Sequence, residues 1–240
     1  MATEKEVRNY LKEHRRPAAV VLLVIAALML AAPLIIVGFS PGGFSSWVSA
    51  SVRLTALYAF TFLFMNIVNG ALAPYFYAVF NARREYLIHT ITGALGFLLA
   101  LAHGLIVITQ RYYRPYNAVW MIGLVTLPLL ALTVWVALDR TRLKSVWRFI
   151  HQINYAIFVA SFIMAVLIGS DFKMTGWTEQ LAMVLFILYM ALAAVALALR
   201  VRRYQVQAAG RRKSAAARAA AGSGASAGGD EPARVEPAGD

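Results

Sequence analysis

The chain has 240 residues, 60% of them hydrophobic, and a mean hydropathy of +0.64, whereas an ordinary soluble domain is roughly 45–50% apolar. These numbers imply a bilayer as solvent and exclude a soluble globular domain. The absence of cysteine excludes disulfides, iron–sulfur clusters and thiolate metal ligands, which leaves histidine as the strongest available ligand.

A hydrocarbon core of about 30 Å takes roughly 20 apolar residues per helix. Six runs of that length follow one another and predict an all-α integral membrane protein, a six-transmembrane-helix bundle. Residues 1–16 form a basic N-terminal segment that includes KEHRR, where His14 reads as a solvated or lipid-facing residue. The first run, 17–38, exceeds the about 7–15 apolar residues of a signal peptide and reads as an anchor that stays. The second, 55–77, carries Asn66 and Asn69 and ends near Pro74, which is expected to kink it. The two amides must bond a neighbouring helix or a cofactor carboxylate, because an unpaired amide in lipid is costly. The third run, 86–108, holds His89 and His103. It leads into TQRYYRPYN, where Arg111 and Arg114 sit among tyrosines, either as an interfacial aromatic belt or as arginines that pair an acidic cofactor group. The fourth run is 119–138, with Pro128 inside it. The fifth, 149–169, begins near His151 and contains Met164, and the sixth is 180–199. From 205 to 240 the chain is Ala/Gly/Ser/Arg-rich, with too few large apolar residues to build a core, and reads as a disordered tail.

Lysine and arginine set the orientation. The N-terminus, second loop, fourth loop and tail hold 19 of the 23, leaving Arg53, Arg111, Arg114 and Lys173 for the other side. Both termini are therefore expected in the cytoplasm, in a multi-pass protein of the plasma or inner membrane. The net charge of +12 is then topology and attraction to anionic lipid, and needs no nucleic acid.

Ionisable or metal-binding groups inside a span are expensive and usually face the bundle interior. His89 and His103 are 14 residues apart, about 40° in azimuth and about 21 Å along an ideal helix, so they share a face at two depths. Gly93, Gly96 and Ala100 lie between them, leaving the stripe bare for close helix packing or for a large cofactor. His151 starts the fifth span, parallel to the third, at the depth of His89. Two neutral imidazoles facing across a bundle can hold a heme iron from both sides. The alternative has His89 and His151 as boundary residues that snorkel or bind lipid headgroups.

These residues resemble the ferric reductase-like transmembrane family, which includes the membrane parts of ferric reductases and NADPH oxidases and the heme subunit of the bacterial periplasmic methionine sulfoxide reductase system. The resemblance covers roughly residues 50 to 200. RREYLIHTITGALGFLLALAHGLIV is similar to that family's third helix and WRFIHQINYAIFVASFIMAVLIG to its fifth. It implies a six-helix bundle carrying heme b, one or two per chain, with His89 and His151 on the inner iron and His103 on the outer. Where the family has a second histidine on the fifth helix, this chain has Met164. Methionine can be an axial ligand, yet 13 residues of ideal helix turn it about 140° from His151, and gap-filling is its commoner role.

The expected function is a b-type cytochrome subunit that carries electrons across the membrane to an outer-side acceptor. No dinucleotide or phosphate-binding motif is present, so the donor is expected to be a cytoplasmic flavin reductase or quinol, with flavin supplied only through a partner. Arg83, Arg84, Arg140, Arg142 and Lys144 would form a basic rim toward such a reductase. Two alternatives stand beside this: a quinol-oxidising heme subunit of a periplasmic redox complex, and a heme-free six-helix transporter or assembly factor.

Overall fold

In the computed structural model all residues are described except 1–3, 111–117, 144–145, 174–175 and 227–240; the side chains of 118–120 and 217–226 are also left undescribed. Every described element is helical: α1 (Glu4–Glu13), α2 (Arg15–Phe39), α3 (Trp47–Ala71), α4 (Ala73–Phe80), α5 (Ala82–Thr109), α6 (Ala118–Leu138), α7 (Arg140–Leu143), α8 (Val146–Ile168), a 3-10 turn at Ser170–Phe172, and α9 (Trp177–Ser226). Six of them, α2, α3, α5, α6, α8 and α9, are long and apolar enough to cross a membrane. Large apolar side chains such as Leu28, Leu98, Trp135 and Val184 are exposed on them, as expected where lipid is the solvent. This is a multi-pass membrane protein.

The second span differs from the sequence expectation. It starts at Trp47 and ends at Ala71, earlier than the apolar run 55–77, and Pro74 does not kink it. Pro74 instead occupies the first turn of the separate helix α4, where its missing N–H removes no hydrogen bond. Pro128 does lie inside α6, as expected.

Residues 1–197 form one compact unit and residues 198–240 a second. The centre of the first is α3, whose Phe60 and Phe64 stack on the aromatic rings of two other helices. Phe60 lies 4.4 Å from Phe158 of α8 and 4.2 Å from Phe186 of α9, and Phe64 lies 4.3 Å from Tyr189 of α9, ring centre to ring centre. Without a hydrophobic drive between helices in lipid, this close aromatic packing supplies the attraction. In the second unit, residues 205–226 are helical, where an unfolded tail is expected from composition. Alanine and arginine are among the strongest helix formers, so a segment with no core to build still coils. The rest of the expected tail, 227–240, lies outside the described residues.

Candidate functional site

α5 begins after a sharp reversal at Asn81, which has φ +67 and ψ +163, a backbone conformation ordinarily reserved for glycine. Its side chain accepts from the Arg84 amide at 3.0 Å and caps the helix. The cap fixes the register from which His89 projects two turns later. His151 projects from α8 one turn after the helix begins at Val146, and Trp147, one turn earlier, lies 5.9 Å from its ring. The structure brings the two histidines together: their ring centres are 6.1 Å apart, with planes 72° to each other.

His89 is held by a neighbouring helix, and His151 is met by a residue one turn along its own. Asn66 of α3 donates its amide to the His89 carbonyl and comes within 3.4 Å of the Thr92 hydroxyl. Asn69 reaches the Glu85 carbonyl at 3.5 Å, so both asparagines of the second span serve helix-to-helix bonding. Gly70 backs the His89 ring; a methyl group there would lie 3.2 Å from Cε1. On the other side, Asn154 lies 3.3 Å from His151 Nδ1.

The glycine stripe of α5 is occupied by α3. A Cβ on Gly93 would sit 2.8 Å from the Asn66 amide nitrogen, and one on Gly96 would meet the Leu63 side chain and backbone nitrogen at 3.2 Å. Close helix packing therefore accounts for both glycines.

The second expected site is not assembled in the same way. The His103 ring donates Nδ1–H to the Val52 carbonyl of α3 at 3.0 Å. Since a carbonyl only accepts, the lone pair is left on Nε2. Met164 instead turns its sulfur to α6, where a Cβ on Gly123 would be 3.1 Å from it. Arg111 and Arg114 lie outside the described residues, as does Lys144 of the basic rim. Of the rim's other members, Arg140 stacks over Tyr86 at 4.9 Å, and Arg142 lies 3.7 Å from Asp139, a surface pair of little energetic weight.

Four features escaped the sequence reading. Glu85 is buried at 4% exposure one turn before His89. Tyr77 lies beside it, and burial, reinforced by that carboxyl, pushes the Tyr77 phenol up. Arg53 and Asp171 form a buried ion pair, with Arg53 Nε 2.8 Å from Asp171 Oδ1. Asn154 and Thr133 meet at 2.6 Å. Only Asn154 left a sequence signal, since three residues past His151 puts it on the same helical face.

An apolar cavity of about 420 Å³ opens between α6 and α8, lined by residues including Met121, Val125, Ile153, Ala156 and Ala160. No histidine lines it, so it is separate from the paired imidazoles. Among the described residues no three His, Asp or Glu side chains converge on one point. Comparison with protein-family models, curated proteins and solved structures gives no match to this chain.

Proposed function

We propose that this chain is a b-type cytochrome subunit of the plasma or inner membrane, with both termini cytoplasmic. It would carry electrons from a cytoplasmic flavin reductase or quinol toward an outer-side acceptor. The observation that carries the reading is the 6.1 Å separation of the His89 and His151 rings. A metal–nitrogen bond is about 2 Å, so an ion between two imidazoles sets the ring centres roughly 6 Å apart once half of each ring is added. The donor count points the same way. A bare ion takes three or four protein ligands, and no such group converges among the described residues, whereas heme iron needs only axial ligands from the protein.

Heme, when bound, supplies one-electron redox chemistry at iron. The chain's own part is to offer His89 and His151 as ligands, to hold α5 against α3 through Asn66, and to surround the pair with lipid-solvated helices that exclude water. The packing of the Met164 sulfur against Gly123 favours one heme over two, since a second heme would need another ligand to pair with His103.

The test is the absorption spectrum of the purified full-length protein, with heme per polypeptide from the pyridine hemochrome. A Soret band with a reduced b-type α-band is expected, at about one heme per chain. A colourless protein that takes up no added hemin overturns the reading and leaves the heme-free transporter or assembly factor. Reduction by quinol in reconstituted membranes, set against reduction by a flavin reductase, separates the two donors.

A further inference from the structure

One turn along α8 from His151, the Asn154 amide lies 3.3 Å from His151 Nδ1 at one end and, at the other, 2.6 Å from Thr133 Oγ1 on α6. Thr133 is fully buried, at 0% exposure, and its hydroxyl is 2.8 Å from the Leu130 carbonyl. The three contacts form one chain, so their hydrogens can be counted.

A threonine hydroxyl has one hydrogen. If the amide oxygen faces Thr133, both that oxygen and the Leu130 carbonyl claim the same hydrogen, and one buried oxygen–oxygen contact has none. The nitrogen and oxygen of an amide are interchangeable in outline, and the network decides between them. Turning the amide over serves every contact once. Thr133 then donates to Leu130, the Asn154 nitrogen donates to Thr133, and His151 Nδ1–H donates to the Asn154 oxygen. A nitrogen–oxygen distance of 2.6 Å is about 0.1 Å below the usual range, a smaller objection than a buried contact without a proton.

We propose that Asn154, oriented by Thr133, fixes His151 in the tautomer with its hydrogen on Nδ1, so that Nε2 carries the lone pair a metal needs. A neutral imidazole has one such nitrogen, and the bond made by the other nitrogen selects it. Asn154 is thus a positioning residue. Its purpose rests on the heme reading; the tautomer itself does not.

The test is nitrogen NMR of the full-length chain in detergent, labelled with ¹⁵N-histidine and free of heme, at about pH 8, above the ordinary imidazole pKa. The His151 signals are assigned by their loss in His151→Gln. The expected wild-type result is a protonated Nδ1 and an unprotonated Nε2. Asn154→Leu loses that preference. Asn154→Asp keeps it, because a carboxylate only accepts, whereas a packing role would be filled better by leucine than by aspartate. A wild-type proton on Nε2, or an unchanged Asn154→Leu spectrum, overturns the proposal, and the wild-type spectrum alone decides if the leucine variant does not fold. With heme added, Asn154→Leu should weaken retention about 10- to 100-fold, and Asn154→Asp should retain heme at a lower midpoint potential. A chain that binds no heme yet shows the Nδ1–H tautomer overturns the heme reading alone. A heme-binding chain with the opposite tautomer overturns this inference alone.

Discussion

The imidazoles of His89 and His151 stand 6.1 Å apart and nearly perpendicular, although the residues belong to different helices. Helix α5 contributes one and α8 the other, each within two turns of its own helix start. Their contact sets the first turns of α5 and α8 side by side at this point of the bundle.

If this pair holds heme, removing either ring removes the heme. His89→Ala and His151→Ala should each lose the Soret band, while His14→Ala, whose ring stacks on Tyr10 at 4.2 Å, should keep it. His103→Ala and Met164→Ala should leave the pyridine hemochrome near about one heme per chain. A drop to half of the wild-type value in either of these two would restore a second, outer heme.

The buried Arg53–Asp171 pair ties the 3-10 turn to α3. Asp171→Ala leaves the Arg53 guanidinium buried without its partner, which is expected to cost about 3–5 kcal/mol. Joint replacement by Met at 53 and Leu at 171 should recover most of that loss, since neither charge then needs a partner. Thermal unfolding in detergent of the wild type and these two variants checks both expectations.

Gly96 sets how closely α3 and α5 approach. An alanine methyl there meets Leu63, including its backbone nitrogen, at 3.2 Å, and backbone cannot turn aside as a side chain can. Gly96→Ala should therefore destabilise the fold by about 1–3 kcal/mol, read as a lower unfolding midpoint. At Gly93 the opposing group is the Asn66 amide, which can rotate, so Gly93→Ala should cost less stability while releasing the His89 carbonyl from its bond.

Tyr189 is buried at 1% exposure in the aromatic stack, and its hydroxyl has no hydrogen bond of good geometry among the described residues. Removing a buried hydroxyl that gains little from its surroundings is close to neutral. Tyr189→Phe should match or slightly exceed the wild-type melting temperature, whereas Phe60→Ala, which opens a cavity in the same stack, should lose about 3–5 kcal/mol.

Six spans were readable from the sequence because lipid demands long, continuous apolar runs, and each of the six runs corresponds to an observed helix. The pairing of His89 with His151 was also within reach, since helical rise and alternating direction place both at one depth. The boundary between α3 and α4 was not, because Pro74 suits either a kink or a first helical turn, and hydropathy does not distinguish them. The polar contacts between separate segments lay further beyond reach. Thr133 orients Asn154 across a helix interface, and Arg53 meets Asp171 across 118 residues of chain. The tertiary structure likewise decided that the glycines of α5 receive Asn66 and Leu63. Length and polarity along a chain determine which segments enter the membrane, but only the rotation of one helix against another determines which side chains meet inside it.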